Sequence, residues 1–544
     1  MFHRFLKNRS LLTSLIIIST LFIIWSCDNS PTGTGSENTL ENIIQSETLV
    51  GNPTGYAPLS AQLNLTLNQT ASVEINISSN NSDATSESKP EPDPIIQRFS
   101  QTGTSFSLPI HGLLPNAENS IELRVLDADG SEVGRKTYTL ETGAISAAMP
   151  DITINQMNES QMVEGMTFVS YFGTSVGGDT KPQKPFNFDK DGHIRWYLDF
   201  TGHPQLGNLF YDNGMERLEN GHLYFGDGSS NRIYEIDMLG NIINRWEMPG
   251  YGFHHNVIEM PNGNFIATVN KFGEPTVEDY VIEIDRNSGE IINEWNLNES
   301  LDNQRRAWPT NLADLNVDWF HANALAYSAA DDAIIVSGRT QALVKLNRTN
   351  DVQWIMAPHR DWQTSGRGED LTQFLLQPLD ASNQPITNTP VLSGFENHPD
   401  FEWNWYQHAP LIMPNGNIML FDNGDNRNYA STGFNAPGAY SRVVEFDIDE
   451  ENMTITQQWQ FGKEQGSTLF SRIVSDADYD PNTGHVIMTS GSIAEGDQRY
   501  GRVLEIDKST QANTIIYDAR ITPPAAGFGI ITMHRTERMP LYPR

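Results

Sequence analysis

The chain has 544 residues, 38% of them apolar and 10% aromatic, and 68 acids against 35 bases leave a formal net charge of -33. This composition excludes disorder over most of the length, and the size calls for more than one folded unit. The charge excludes nucleic acid and anionic surfaces as general partners, so an anionic substrate has to be met by a local basic pocket.

The first residues, MFHRFLKNRSLLTSLIIISTLFIIWSC, join a basic head (Arg4, Lys7, Arg9) to an apolar run from Leu11 to Trp25, followed by Ser26 and Cys27. The pattern predicts a lipoprotein-type signal segment over 1–27 with Cys27 acylated, and hence an exported protein of the cell envelope or periplasm, touching the membrane only through its lipid. An uncleaved membrane anchor is the alternative. Cys27 is the only cysteine, which excludes an internal disulfide and thiol chemistry in the body of the protein. Residues 28–40, DNSPTGTGSENTL, read as a flexible tether.

Between 41 and 147 the segments AQLNLTLNQ, SVEINIS, SFSLPIH and NSIELRVLDADGSEVGRKTYTLE alternate apolar and polar residues between polar turns. Period-two patterning without long helical stretches predicts a small β-sandwich of immunoglobulin-like or fibronectin type. The insert NNSDATSESKPEPD reads as a mobile loop.

From 148 to 544 the chain repeats. Four strands end in Glu, an apolar residue and Asp: YEID to Asp237, IEID to Asp285, VEFD to Asp447 and LEID to Asp507. Trp246, Trp295 and Trp459 follow the first three, and FNFDKDGHIRW and VKLNRTNDVQW are looser copies ending at Trp196 and Trp354. Apolar strands follow Asn-Gly in NGHLYFGD, NGNFIATV and NGNIMLFD. The units begin near 161, 213, 254, 321, 407 and 471, which predicts an all-β, six-bladed β-propeller whose tail, GFGIITMHRTERMPLYPR, returns to close the ring.

Aligning the Asn-Gly turns superposes FHHNVIEMPNGN on YQHAPLIMPNGN and so His255 on His408, and FHANALAYSAADDAIIVSG places His321 at the same point. The second unit has Asn213 there and the sixth has Arg472 beside it. First strands of propeller blades line the channel, so equivalent positions converge on one mouth. One histidine at a strand start is usually a hydrogen-bonding residue; three in register, absent from the other copies, indicate a site. His193, His359 and His485 read as turn or solvent residues. Arg339, inside the apolar stretch AIIVSGRTQALVKL, needs a partner or a ligand: either a structural ion pair or, with the imidazoles, a receptor for a tetrahedral oxyanion. A metal held by the histidines is the rival reading, opposed by the guanidinium and by the lack of a carboxylate in register; FDNGDN (421–426) reads as a turn or a calcium loop.

QHAPLIMPNGNIMLFDNGDNR, WFHANALAY with VSGRTQALVKL, GFHHNVIEMPNGN and RTERMPLYP resemble the bacterial aryl-sulfate sulfotransferases over about 45–544. The resemblance implies an N-terminal β-sandwich before a six-bladed propeller, and transfer of a sulfuryl group from a phenolic sulfate donor to an acceptor phenol with no cofactor or nucleotide donor. It implies that His408 is the nucleophile, transiently sulfated, that His255, His321 and Arg339 are its active-site companions, and that Asn323 is a polar pocket residue. His254 is the neighbour most easily confused with His255, and Tyr406, with Trp403 and Trp405, reads either as aromatic pocket or as core. A ping-pong reaction follows; a non-catalytic envelope propeller binding sulfated or phenolic ligands and an arylsulfate hydrolase are the alternatives, and a homodimer is left open.

Overall fold

A computed structural model of the chain describes residues 40–80, 89–172, 181–306, 317–430, 438–510, 512–524 and 530–543. The signal segment with Cys27, the tether up to residue 39, and residues 81–88 of the polar insert lie outside the described residues. The described chain is all-β, with seven hydrogen-bonded sheets and a few helices of one or two turns.

The N-terminal sheet contains Ile44–Gly51, Ser60–Asn80, Ile95–His111, Glu118–Leu126 and Glu132–Glu141, all paired antiparallel. Its axis is the 21-residue strand Ser60–Asn80, which pairs first with Ile44–Gly51 and further on with Glu118–Leu126, while Ile95–His111 runs beside both parts. Alternation sets the register: Leu63, Leu65, Val73, Ile75 and Ile77 are buried with polar residues between them turned outward. Leu40, the last residue of the expected tether, already belongs to this core. The core continues without a break into Phe168, Trp196, Tyr211 and Met533, and the Tyr542 hydroxyl accepts from His111 N at 2.7 Å.

Six further sheets follow. Those at 216–247, 251–296 and 322–356 are four-stranded antiparallel meanders. The next runs from His408–Ile412 out to Thr454–Phe461 and carries the two-residue strand Gln377–Pro378 in parallel at its far edge. The last two are each completed by a distant part of the chain. Met533–Met539 pairs with Met166–Tyr171 and becomes the first strand of its sheet, which is the return expected of the tail. Asp151–Met157 adds to the far edge of the sheet beginning at Asp476–Asp480, a second closure that the repeat pattern did not announce. First strands pack side by side in chain order: Tyr251–Glu259 on Ala322–Ser328, then His408–Ile412, Asp476–Asp480 and Met533–Met539.

The repeated tryptophan and Glu-x-Asp residues explain themselves as joints between successive sheets. The indole N–H of Trp196 donates to Met238 O, that of Trp246 to Arg286 O and that of Trp295 to Asn347 O, each time a turn of the next sheet. The repeat glutamates receive a cation from the same turn, Arg286 on Glu235 at 3.3 Å and Arg348 on Glu283 at 2.5 Å, with Lys508 on Glu445 in the same way. The aspartates close the turns themselves: Asp237 Oδ1 accepts from the backbone N–H of Leu239 and Asn241. A buried indole N–H or carboxylate is costly unless bonded, so each copy satisfies its polar atoms only when the next copy is in place.

Candidate active site

The histidines stand where first strands are irregular. Pairing slips between Phe253 and Val257, between Ala322 and Ala324, between His408 and Leu411, and between Met533 and Thr536. His255, His408 and His534 lie at these bulges and His321 immediately precedes one. Bulges re-aim side chains, and His255 and His321 also carry left-handed backbone, φ 58° and 57°, a conformation that costs roughly 1–3 kcal/mol in a bulky residue and is retained where geometry matters for function. An aromatic anchor precedes each: the Phe253 ring fills the space over Gly226, and the Phe320 ring that over Gly338, where an added Cβ would come to 2.0 and 2.5 Å of it.

Side chains separated by up to about half the chain therefore meet. His255 Nε2 is 3.0 Å from His321 Nε2, with ring centroids 5.0 Å apart. His534 lies 5.7 Å from His255 and 6.0 Å from His408, centroid to centroid, and so joins the pair to His408. All four rings are at least nine-tenths buried. His254 is in the same group, 4.0 Å from the His255 ring, but its Nε2 is taken by Glu278 Oε2 at 2.8 Å. His255 is the deeper of the two and the one that faces the other imidazoles.

The His408 ring is held in one tautomer. Its Nδ1 faces two oxygens, Asn423 Oδ1 at 2.8 Å and Tyr406 O at 3.2 Å. The Asn423 amide cannot be flipped without loss, because its Nδ2 donates to Ser471 O and Val474 O at 2.8 and 2.9 Å. With only acceptors opposite, Nδ1 carries the hydrogen and Nε2 keeps a lone pair, which has no hydrogen bond to any described residue. Burial, against the pull of the Asn423 bond, pushes the His408 pKa down to about 3, so the ring is neutral at neutral pH. Gln407 fixes the segment, its Nε2 donating to Ser337 Oγ and Gly338 O of the neighbouring sheet and its carbonyl accepting from Asn323 Nδ2 at 2.8 Å. Asn323 is fully buried and bolts the His408 segment in place.

Three carboxylates surround the histidine pair. Asp212 Oδ2 lies 3.2 Å from His255 Nδ1 and accepts from His255 N at 3.1 Å; Asp318 Oδ2 lies 2.7 Å from His321 Nδ1, which Glu278 also contacts. Burial alone would raise Glu278, but its bonds to His254 and His321 hold it well below the usual carboxylate range, and the same carboxylate raises His254 against burial. Burial, reinforced by neighbouring imidazoles, keeps His255 and His534 neutral. Of these acids, Glu278 and Asp318 lie outside the register, where the sequence reading found no carboxylate, and Asp212 stands one residue before the aligned Asn213. Ligating atoms of His254, His255, Glu278 and His321, and separately of Asp212, His255 and His534, lie within 4.8 Å of one another, close enough for a divalent ion to bridge. Contacts of 2.8 and 3.0 Å within the first set are hydrogen-bond distances, shorter than the roughly 3.3 Å between ligands of a tetrahedral ion with bonds near 2.0–2.1 Å, so an ion there requires the group to expand. The FDNGDN stretch is otherwise occupied: Asp422 binds Arg427 and Arg442, Asp425 binds Arg472, and Asn423 is the partner of His408.

Arg339 lies in the hairpin turn after Ala333–Gly338 instead of inside a strand, and its backbone N–H donates to His321 O at 3.0 Å, which sets it beside the pair. It is 8% exposed; burial lowers its pKa while the charges of Asp318 and Glu278 oppose that. Tyr406 is buried, its hydroxyl accepting from Asn426 Nδ2 and pushed up to about 12 by burial. Trp403 is core, with its N–H on Val391 O. His193 bonds Pro90 O and His359 bonds Leu376 O, while His485 is a buried partner of Glu505 and not a solvent residue.

His534 and Asp212 escaped the register. The alignment rested on a downstream hairpin, Asn-Gly for His255 and His408, and the strand carrying His534 is the last of the described strands and has none. In the second unit the side chain turned inward is Asp212, left-handed at φ 48°, one residue before the aligned Asn213. A histidine in the tail, expected to close the ring, was the available signal.

Neutral buried histidine has a consequence for stability. The folded-state pKa of His408, about 3, lies below the unfolded value near 6.5, so the unfolded chain binds more protons between them; the contribution is present above about pH 6.5 and lost as pH falls toward 3. In His408→Gln, the slope of unfolding free energy against pH between about 4 and 6 should fall by about 1.4 kcal/mol per pH unit, read by urea unfolding.

The arylsulfotransferase family model matches residues 151–524, and that of the arylsulfotransferase Ig-like domain matches residues 48–143. The chain belongs to the arylsulfotransferase family. Its relatives include arylsulfate sulfotransferase AssT of Escherichia coli O6:H1 strain CFT073, 30% identical over 392 residues, and AssT of Lelliottia amnigena, 31% identical over 379 residues. The aligned regions cover 62% and 60% of this chain and span 64% and 61% of those relatives. Among solved structures, that of streptogramin B lyase covers 70% of this arylsulfotransferase-family chain and 100% of its own, at a TM-score of 0.29 and 12% identity, too low to bear on fold or function.

Proposed function

We propose that this chain transfers a sulfuryl group from a phenolic sulfate ester to a phenol by a ping-pong reaction through a sulfohistidine on His408. The six sheets are read as blades of a propeller over 148–544 behind an immunoglobulin-like domain over 41–147, and the N-terminal sequence as a lipoprotein-type export signal. Family membership supports the reaction class, and the observation that carries the mechanism is the His408 tautomer: Nδ1 tied to two acceptors, Nε2 bare and the ring neutral.

In the first half-reaction the Nε2 lone pair attacks sulfur, an N–S bond forms, the S–O bond to the ring breaks and the phenolate leaves with the electron pair. The His255–His321 couple, wired to Asp212, Glu278 and Asp318, supplies the proton that neutralises the phenolate, and Arg339 faces the sulfuryl oxygens. In the second, an acceptor phenol attacks sulfur, the N–S bond breaks back to His408 Nε2, and the phenol proton returns to the couple.

The test is release of 4-nitrophenol from 4-nitrophenyl sulfate. Without acceptor, colour should stop near one equivalent per enzyme; with phenol it should continue, and a chelator should not change it. Continued release to water would make the protein a sulfatase, and binding without release a receptor. The carboxylate-rich histidine group favours one second reading, metal-assisted transfer, which loss of turnover on chelation and its return with zinc would establish.

A further inference from the structure

A small cavity of about 30 Å³ adjoins residues 404–407, which lead into His408, and is lined also by Arg305, Arg339, Gln341 and Tyr429. Arg305 is the unexpected member. It is 5% exposed, and among the described residues it forms no ion pair: Nε donates to Arg360 O at 3.0 Å, Nη1 to Gln341 Oε1 at 2.6 Å, and the guanidinium stacks on Trp362 at 4.2 Å. Its Nη2 has no hydrogen bond to any described residue. Asp361 and Asp302 act on it only through their charge, Asp361 being bonded to Arg360 at 2.9 Å and Asp302 accepting from Gln304 N. Other buried arginines of this half of the chain hold acids, Arg427 and Arg442 on Asp422 and Arg472 on Asp425.

A buried cation without a counter-charge costs several kcal/mol, and buried charges are as a rule paired. Here two guanidinium groups border one cavity in a protein of net charge -33, and among the described residues no acid forms an ion pair with Arg305. Burial pulls Arg305 down to about 10, still far above neutrality, so the charge persists. A water needs about 10–15 Å³ of such space, so the cavity takes two waters or one carboxylate.

We propose that Arg305, with Arg339, forms an anion subsite that takes a carboxylate, carried as an ionised substituent on the phenolic substrate or arriving as a free small acid. This rests on the transfer reading above for the substrate-borne source only. Arg339 lines the cavity and is also tied to the imidazole pair through its backbone bond to His321 O, so a carboxylate seated there lies on the Arg339 side of the site.

The test measures transfer from 4-nitrophenyl sulfate to 3- and 4-hydroxybenzoate against the matching neutral hydroxybenzamides, in the full-length protein and in Arg305→Met and Arg305→Lys. The wild-type kcat/KM ratio of acid to amide should exceed unity by roughly ten- to a hundredfold for at least one isomer, fall to about unity in Arg305→Met and survive in part in Arg305→Lys. In a second arm, sodium formate should raise the thermal midpoint of wild type more than that of Arg305→Met, at equal ionic strength. A ratio at or below unity for both isomers, together with equal formate shifts, overturns the subsite. A formate difference without the acid preference assigns it to a free anion. If no acceptor is sulfated at all, the transfer reading fails while the formate arm still decides the subsite, and Arg305→Lys with circular dichroism covers a methionine variant that does not fold.

Discussion

His408→Gln is expected to lower turnover of 4-nitrophenyl sulfate with phenol by about 10⁴-fold or more, while leaving the fold intact. Glutamine approximates the size of the ring and can still donate to Asn423 Oδ1, so packing is disturbed little, but it offers no nucleophilic nitrogen. The single-equivalent colour release should vanish with it, because in the proposed mechanism that release accompanies formation of the N–S bond. A mass shift of one sulfuryl group on wild type, trapped without acceptor and mapped to the peptide containing residue 408, is the direct measurement. Because burial holds His408 near 3, the release rate should not fall through a midpoint at the ordinary histidine value on acidification. Residual turnover within tenfold of wild type in His408→Gln would remove the nucleophile from this residue.

Arg339→Met should cost roughly 10²–10³ in kcat with a smaller change in KM. The reason is geometric: the guanidinium is fixed through the turn that bonds His321 O, in a buried site where the charge developing on sulfuryl oxygens is poorly screened. Arg339→Lys should recover only part of the loss, since a point charge replaces a planar fork. A purely structural arginine, neutralising Asp318 and Glu278, gives the opposite pattern: lowered thermal stability, with kcat in the surviving folded protein within about threefold of wild type.

Much of the site was legible because repetition made it so. His255 and His408 could be read together from Asn-Gly spacing, and His321 from its matching place before its own strand, since equal distance from a hairpin means equal depth along a strand. The method stops where the repeat does. His534 stands on a strand with no hairpin after it, and Asp212 faces inward through a left-handed turn that shifts the register by one. The carboxylates were invisible for a related reason: Glu278 and Asp318 come from loops whose lengths differ between copies, so no spacing marks them.

By itself the sequence determined the all-β class, the return of the tail and the common register of three histidines, because strand alternation and turn residues are local and recur. Only the tertiary structure decided which histidine nitrogen is bare, which carboxylates are wired to the others, and that a buried arginine forms no ion pair among the described residues. Those outcomes depend on bonds between residues tens to hundreds of positions apart. A tautomer or an uncompensated charge is a property of what lies opposite a side chain, and only folding brings that partner into place.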